Sequence, residues 1–229
     1  DKAVNPTNVM GTTKLMGERL MTAANSSKRE NGPIFASTRF GNVLGSSGSV
    51  IPIFRNQISN GGPVTLTDKN MTRFVMSVEE AVELVLNSVM EAKGGEVFVT
   101  KMPVMKIEDL AIAMIEELSP NEIEVTEIGS KPGEKLYEEL MSDEETRRTI
   151  ELDKFFSVLP AFRGIYSDID YNYSTIVSEL VEDPYVSEQQ TSLTVEEVKD
   201  FLRNNKLLLD ANVNEQNARY WPGDKEEKS

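Results

Sequence analysis

The sequence predicts an α/β fold, because helical patterns alternate along the chain with short apolar segments typical of strands. Helix-start motifs stand before apolar residues at helical spacing, and Gly- or Pro-rich stops separate these stretches from the strand-like segments. The 229 residues are 39% hydrophobic and 27% charged, which is ordinary for a globular chain that buries a core.

The first third of the chain alternates in this way. Asn31-Gly32-Pro33 stops the first predicted helix, and Gly61-Gly62-Pro63 stops the second. In order, the predicted elements are a helix over residues 9–29, a strand over 34–40, a Gly/Ser-rich loop over 41–49, a helix over 50–58 and a strand over 64–67.

Two capping boxes mark helix starts farther along the chain, at Ser77 with Glu80 and at Thr194 with Glu197. The first of these helices carries an apolar face made of Val78, Ala81, Val82, Val85 and Val89. The second helix is predicted to have Val195, Val198, Phe201 and Leu202 on its inward face. Residues 106–118 have the apolar spacing of an amphipathic helix, strands are predicted over 96–100 and 122–128, and residues 163–192 are predicted to be irregular.

Composition excludes several classes of chemistry. The chain has no Cys and no His, which excludes thiol nucleophiles, disulfides, Cys/His zinc sites and imidazole bases. With 24 Lys and Arg against 38 Asp and Glu, the formal charge is −14, which disfavours binding to nucleic acid or an anionic membrane. No apolar run approaches the roughly 20 residues of a membrane span and no signal-peptide pattern begins the chain, so a cytoplasmic location is predicted.

Four motifs carry a specific resemblance to a known family. They are the run from Asp1 to Lys14 (DKAVNPTNVMGTTK), the run from Arg39 to Val50 (RFGNVLGSSGSV), MTRF at 71–74 and KPGEKLYEEL at 131–140. In this order they closely resemble the UDP-N-acetylglucosamine 4,6-dehydratases of bacterial and archaeal surface-polysaccharide synthesis, which are extended short-chain dehydrogenase/reductases. The resemblance covers roughly residues 1–145 and, more loosely, the helix from Thr194.

The resemblance implies a lyase that removes water across C5 and C6 of a UDP-sugar, with a tightly held NADP or NAD as a temporary hydride store. Hydride leaves C4, the C4 ketone acidifies the C5 proton, water leaves from C6, and the hydride returns to C6. By resemblance Lys2 is the base at C5 and Asp1 is the acid for the departing hydroxyl, and Lys2 must be partly neutral to accept a proton. A C5 carbanion can be reprotonated on either face, so the reaction proceeds with or without 5-epimerisation.

Met10 and Lys14 stand one helical turn apart, where most of the superfamily has Tyr and Lys. The resemblance implies that Lys14 binds the nicotinamide ribose. A thioether cannot transfer a proton, so Met10 occupies the Tyr position without its proton-transfer role. The base for the C4 hydroxyl is then either Lys2 or a relay through the ribose and Lys14.

Four residues are implied to hold the nucleotide of the substrate. Asn42 follows the strand over 34–40, at the end of a strand where parallel α/β sheets bind ligands, and corresponds to the family's diphosphate contact. Arg73 matches a second phosphate ligand, and Lys131 stands where the family often has Arg. Glu134 fits the acidic ligand of the uridine ribose hydroxyls. Exposed salt-bridge partners are the alternative interpretation of these charged residues.

The family's cofactor turn, G-x-x-G-x-x-G, is absent from the 229 residues. We therefore expect the C-terminal portion of a longer enzyme, with a partial Rossmann-like (extended short-chain dehydrogenase/reductase) parallel sheet and a smaller C-terminal substrate-binding lobe. Residues 1–42 and 77–101 are assigned to the NAD(P)-binding domain, 43–76 and 102–150 to the nucleotide-sugar-binding lobe, and 151–229 to a partly irregular C-terminal extension with a helix near 195–208. Such a chain should expose the sheet edge that absent strands would pair, bind NADP poorly and turn over nothing alone.

Two other functions stay open. A nucleotide-sugar 4-epimerase of the same superfamily needs the Tyr base, and both Met10 and the Asp1-Lys2 pair argue against it. A non-catalytic fragment that binds a nucleotide sugar or a partner subunit would account for the absent cofactor turn. The expected partners are a UDP-sugar and further copies of the chain in a homo-oligomer, and no metal is expected.

Overall fold

The computed structural model describes residues 2–29, 31–45, 49–129, 133–162 and 169–209. Its α-helices are α1 (Val9–Ser27), α2 (Val50–Ser59), α3 (Val78–Glu91), α4 (Ile107–Leu118), α5 (Asp143–Thr146) and α6 (Val195–Asn204). Its strands are β1 (Ser37–Arg39), β2 (Asn42–Val43), β3 (Val64–Leu66), β4 (Thr72–Met76), β5 (Val97–Thr100), β6 (Val104–Lys106), β7 (Val125–Glu127), β8 (Glu139–Met141), β9 (Thr149–Leu152), β10 (Phe155–Val158), β11 (Ile176–Ser178) and β12 (Tyr185–Val186).

The largest sheet in the described residues has five strands in the order β1-β5-β10-β9-β11. β1 runs parallel to β5, with Thr38 opposite Phe98, and the other pairs are antiparallel. The region after residue 150, predicted to be partly irregular, thus supplies strands to this sheet. Leu152 and Val158 are fully buried there, and Phe155 packs edge-on against Phe98 with 5.3 Å between ring centroids. The stretch 163–168 lies outside the described residues.

A second sheet positions the residues predicted to bind the nucleotide. In it β4 lies between β2, which is parallel, and β6, which is antiparallel. Asn42 on β2 is opposite Val75 on β4, and Arg73 precedes Val75 by two residues on the same strand. Residues two apart on a strand share a face, so this pairing brings Asn42 and Arg73 together. Two smaller pairs, β3 with β7 and β8 with β12, complete the described sheets.

The main apolar core lies among α2, α4, α6 and the short strand β3. The spacing predicted for α4 is confirmed, because Leu110 and Met114 are fully buried on its inner face. The inward face predicted for the last helix is also confirmed, since Val198 and Leu202 are fully buried against this core. Burying such aliphatic side chains contributes roughly 1.5–3 kcal/mol each, so this core stabilises the elements that pack on it.

A buried ion-pair network connects α1 to β1 of the five-stranded sheet, which is called the central sheet from here on. The Arg39 guanidinium, only 3% exposed, donates to Glu18 on α1 and to Glu145 on α5, with distances between 2.7 and 2.8 Å. It also donates to the Leu140 carbonyl at 2.7 Å. Burial acts to lower the pKa of Arg39, but its bonds to the two carboxylates outweigh this and the pKa is raised. Arg39 is therefore charged in the interior and holds three elements together.

The apolar face predicted for α3 is not the face that packs on the sheet. Leu84 is the buried apolar residue of α3 and contacts the same core as Phe98, whereas Val82, Val85 and Val89 are 42–71% exposed. Helical periodicity correctly groups the valines on one side. It does not show that the buried residues of α3 are Leu84 and Ser88 instead.

Helix α1 also carries exposed apolar residues, and it lies on the other side of the sheet from α3. Val9, Met16 and Leu20 are 58–81% exposed. α1 contacts the Arg39 side of β1, while α3 contacts the side of Thr38 and Phe98, and neighbouring residues of a strand point to opposite faces. Within the described residues, β1 has β5 as its single strand neighbour, so the sheet ends at β1 with an apolar helix face above and below.

The described helices do not include a candidate for a membrane span. None of them is both long enough and apolar enough to cross a bilayer. α1, the longest at 19 residues, carries Lys14, Glu18 and Arg19 along its length.

Candidate functional site

A cleft forms where β2 and β4 meet the segment 133–138 and the first residues of the chain. Its inner cavity has a volume of about 230 Å³. The lining residues are Lys2, Thr7, Asn8, Gly11, Asn42, Arg73, Gly133, Glu134, Lys135 and Glu138. An adjoining cavity of about 810 Å³ shares Lys2, Asn42, Arg73 and Glu134 and is otherwise mainly apolar, with Phe54 among its walls.

Four of the residues predicted from the sequence converge on this cleft. Lys2, Asn42, Arg73 and Glu134 line both cavities, although the chain separates them by up to 132 positions. Asp1 and Lys131 lie outside the described residues. The roles assigned to all of these residues stay predictions.

Met10 and Lys14 do not line either cavity. Both are on the exposed side of α1, and the Met10 side chain is 60% exposed, so it is not packed in the core of the described residues. In the described residues, Lys14 lies on an exposed face of α1 and lines neither cavity of the cleft. The described residues therefore do not by themselves fit an NAD(P) site.

Asn42 is oriented by a buried carboxylate. Its Nδ2 atom lies 2.7 Å from both carboxylate oxygens of Glu138 and 3.1 Å from the Phe74 carbonyl. Both amide hydrogens of Asn42 are thus directed at protein acceptors. Because the amide nitrogen must face Glu138, the carbonyl oxygen of Asn42 is the atom left for other partners.

Arg73 lies near Asn42, on the other side of the Glu138 carboxylate, and is held by backbone carbonyls. Its guanidinium donates to the carbonyls of Thr72, Lys135 and Leu136 at 2.7–3.2 Å, and its Nε lies 3.5 Å from Glu138. Burial lowers the pKa of Arg73, while the charges of Glu138 and Glu134 act in the opposite direction. A guanidinium stays protonated under these conditions, so Arg73 presents a fixed positive charge to the cleft.

Glu138 and Lys135 are two cleft residues to which sequence reasoning assigned no role. Glu138 is 5% exposed and also accepts from the Phe74 backbone at 3.1 Å, while its own backbone N–H donates to Ser187 Oγ at 2.9 Å. Lys135 donates from Nζ to the Val4 carbonyl at 2.7 Å, and its pKa is lowered by burial. A sequence signal existed for Glu138, because it stands two positions before the apolar Leu140 and residues at that spacing in a strand share a face. Leu140 is fully buried, and an acidic residue on a buried face requires a polar partner.

The charges of the cleft suit an anion with hydroxyl groups. Lys2, Arg73 and Lys135 supply positive charge, and Glu134 and Glu138 supply acceptors. Among the described residues there is no group of His, Cys, Asp and Glu that could hold a metal ion. The arrangement can therefore bind a diphosphate by fixed cations and a sugar by carboxylates.

Comparison with known proteins assigns the chain to a family. Residues 1–160 match the family described as polysaccharide biosynthesis protein. The chain belongs to that family. Its members include extended short-chain dehydrogenase/reductases, so the superfamily named by the sequence resemblance is confirmed.

The curated relatives of this family member include enzymes of two activities. It is 39% identical over 177 residues to the inverting UDP-N-acetylglucosamine 4,6-dehydratase of Campylobacter jejuni, covering 77% of this chain and 52% of the relative. It is 38% identical to the UDP-glucose 4-epimerase of Rickettsia rickettsii, covering 88% and 59%. An uncharacterized membrane protein of Methanocaldococcus jannaschii is 53% identical, covering 70% and 50%.

The fold is shared with a solved structure of the family. The X-ray structure of Pen from Bacillus thuringiensis superimposes with a TM-score of 0.79 at 40% identity, covering 91% of this chain and 60% of that chain. The chain therefore has the α/β fold of this family. It spans about half the length of the curated relatives it matches.

Proposed function

We propose that this chain is the substrate-binding part of an NAD(P)-dependent UDP-N-acetylglucosamine 4,6-dehydratase that acts in the biosynthesis of surface polysaccharide. The observation that supports this most directly is the convergence of Lys2, Asn42, Arg73 and Glu134 on one cleft. Family membership and the 39% identity to the Campylobacter dehydratase support the same assignment. In this proposal the cofactor is held largely by a part of the enzyme that the described residues do not include.

The cleft residues would divide the work between holding the nucleotide and moving protons. Arg73, with Lys131 by resemblance, would offset the diphosphate charge, and Glu134 would accept from the uridine ribose hydroxyls. In the elimination, the Lys2 amine would take the proton from C5 while Asp1 gives a proton to the hydroxyl on C6. The C6–O bond breaks, one water leaves and a C5–C6 double bond forms, so atoms and charges balance.

Asn42 enters this proposal in a modified form. The family's diphosphate contact would require an N–H donor, and both amide hydrogens of Asn42 are directed at Glu138 and Phe74. We assign to Asn42 the role of an acceptor at the cleft wall while Glu138 stays in place. The diphosphate then depends on Arg73 and, by resemblance, Lys131.

A 4-epimerase is the second candidate, because four curated Rickettsia relatives that carry this name are each 38% identical over 88–89% of the chain. Oxidation at C4 in such enzymes requires a proton acceptor near the nicotinamide, and the thioether of Met10 cannot serve as one. The Asp1-Lys2 pair also has no use in a reaction confined to C4. A non-catalytic protein that only binds nucleotide sugar is the third candidate.

The experiment that tests the proposal uses a hybrid enzyme. In this hybrid, the present chain replaces the part of the Campylobacter jejuni dehydratase that it matches. Incubated with UDP-N-acetylglucosamine, the hybrid should form a 4-keto product lighter by one water, as measured by mass spectrometry, and Lys2→Ala should abolish it. A folded, cofactor-loaded hybrid that forms the C4 epimer would support the epimerase. One that binds UDP-sugar without turnover would support the non-catalytic alternative.

A further inference from the structure

The segment that follows Lys2 makes a fixed turn before α1 begins. Val4 is 5% exposed and anchors the turn in the interior. Asn5 has φ of 43°, in the left-handed region that Asn tolerates better than most residues. Asn8 then caps α1 by accepting from the Gly11 backbone at 2.9 Å. We call residues 2–8 the Lys2 segment.

Gly11 allows the Lys2 segment to lie directly on the first turn of α1. A Cβ at position 11 would lie 2.6 Å from the Lys2 carbonyl oxygen and 2.9 Å from Pro6 Cβ. Both distances are too short for non-bonded atoms, and one neighbour is backbone. The position of the Lys2 backbone is therefore determined by close packing on the helix as well as by the anchor at Val4.

Three hydrogen bonds join the Lys2 segment to the segment 133–139 across the cleft. Lys135 Nζ donates to the Val4 carbonyl at 2.7 Å, Asn5 Nδ2 donates to Glu139 at 2.6 Å, and Thr7 Oγ1 donates to the Gly133 carbonyl at 2.9 Å. The same segment carries Glu134, and the Lys135 carbonyl accepts from Arg73. The segment 133–139 thus connects the residues predicted to act on the sugar with those predicted to hold the nucleotide.

We propose that Lys135 is a positioning residue, whose ammonium holds the Val4 carbonyl and thereby keeps Lys2 at the sugar end of the cleft. This inference rests on the proposed function. Of the three bonds, the one from Lys135 is donated by a full positive charge and is partly buried, whereas the bonds made by Asn5 and Thr7 are exposed to solvent. A Lys135 that acts in this way governs the rate of the chemical step and leaves nucleotide affinity nearly unchanged.

The competing role for Lys135 is that of a direct diphosphate ligand, because it is a cation in the same cavity as Arg73. The two roles predict opposite kinetic changes. Loss of a ligand raises the KM for the UDP-sugar. Loss of a positioning residue lowers kcat, and a misplacement of about 1 Å near reacting groups reduces the rate by about 10²-fold.

The first test examines the Lys2 segment in the chain itself and needs no enzymatic activity. The chain has no Cys, so Ala3→Cys gives a single site for a nitroxide spin label next to Val4. Lys135→Met should make the label distinctly more mobile by electron paramagnetic resonance, and Lys135→Arg should restore most of the order, because a guanidinium can also donate to the carbonyl. Lys154→Met, at an exposed lysine that lines neither cavity of the cleft, is the control. An unchanged spectrum in Lys135→Met would overturn the inference.

The second test uses the hybrid with the Campylobacter dehydratase. Lys135→Met should lower kcat about 10²-fold with the KM for UDP-N-acetylglucosamine changed less than about threefold, and Lys135→Arg should recover part of kcat. A KM raised more than about tenfold at unchanged kcat would overturn the positioning role in favour of a ligand role. If the unmodified hybrid binds its substrate and cofactor but forms no dehydrated product, the proposed function fails, and the spin-label result still decides whether Lys135 holds the segment.

Discussion

Arg39 and Glu145 meet in a two-point ion pair that is closed to solvent, with Nη1 2.8 Å from Oε2 and Nη2 2.7 Å from Oε1. Glu18 binds the other edge of the same guanidinium through Nε and Nη2. Because Glu18, Arg39 and Glu145 belong to α1, β1 and α5, the network fixes the helix that starts next to the cleft relative to the central sheet.

Replacing Arg39 should be strongly destabilising. Arg39→Met removes the cation that both buried carboxylates share and leaves Glu145 with the longer 3.4 Å contact to Arg148. Breaking a buried ion pair in this way lowers the free energy of unfolding by about 3–5 kcal/mol. Urea unfolding followed by circular dichroism measures the change. Arg147→Met is the matched control, because Arg147 is exposed, and it should change stability by less than about 0.5 kcal/mol. Equal effects of the two substitutions would contradict the role assigned to the network.

The same network predicts a particular response to acid. Burial acts to raise the pKa of Glu145, but hydrogen bonds and charge from Arg39 outweigh it and lower the pKa from about 4.5 to about 2. A carboxyl with a depressed folded-state pKa stabilises the fold at pH values above its unfolded pKa, and this contribution is lost as the pH falls toward 2. It amounts to on the order of 3 kcal/mol at neutral pH.

The pH dependence can be isolated with two glutamine variants. The stability difference between the unmodified chain and Glu145→Gln should shrink as the pH falls from 7 through 4.5 toward 2, when urea midpoints are compared. Glu144→Gln is the control, because the Glu144 side chain is 66% exposed, and its difference should stay small at every pH. A Glu145→Gln difference that is constant with pH would show that the carboxylate charge does not contribute.

Gly11 and Gly17 give a matched pair within α1. Gly→Ala in a helix ordinarily stabilises by about 0.5–1 kcal/mol, and Gly17 has no atom within 4 Å of the added Cβ, so Gly17→Ala should show this gain. At Gly11 the Cβ collides with the Lys2 carbonyl, so Gly11→Ala should destabilise instead. Thermal unfolding of both variants measures these opposite changes in stability. Stabilisation by Gly11→Ala would mean that the Lys2 segment does not pack on α1.

Two substitutions on α3 distinguish its buried face from its exposed face. Leu84 is 3% exposed, and Leu84→Ala should lower the unfolding free energy by about 2–5 kcal/mol. Val89 is 71% exposed, and Val89→Ala should change it by less than about 0.5 kcal/mol. Sedimentation velocity of the same variants tests whether the exposed valines mediate association. A large loss of stability in Val89→Ala would indicate that this face is covered by another molecule in solution.

The chain alone should separate nucleotide binding from cofactor binding. The cleft residues Arg73 and Glu134 are present in the chain, so UDP should bind detectably by calorimetry, and Glu134→Gln should weaken it. The open helix face around Lys14 should give no tight binding of NADPH, measured by its fluorescence. Tight NADPH binding by the isolated chain would contradict the expectation that the cofactor is held mainly elsewhere.

Patterns of local origin were predictable from the sequence. The spacing in α4 and the capping box before α6 define those helices, because each depends on residues within one or two turns. The convergence of Lys2, Asn42, Arg73 and Glu134 was anticipated through motif resemblance and not through spacing.

Features that depend on distant pairing were not predictable. The strands β10 and β11 are three or four residues long, and their places in the sheet depend on partners that short runs do not reveal. For α3, periodicity shows which residues share a side but not what lies against it. Lys135 and Glu138 lacked an assigned role because their partners, Val4 and Asn42, are more than 90 positions away.

The margin of the sheet at β1 has a practical consequence for any laboratory that produces this chain. The main-chain groups of Thr38 face away from β5, since the Ser37 N–H donates to the Glu96 carbonyl and this direction alternates along a strand. Together with the exposed apolar residues of α1 and α3, they can pair with and pack against an added strand. Co-expression with a polypeptide that supplies a parallel strand and an apolar surface for α1 and α3 should raise the yield of non-aggregated protein. Expression without one should favour aggregates that begin at this margin.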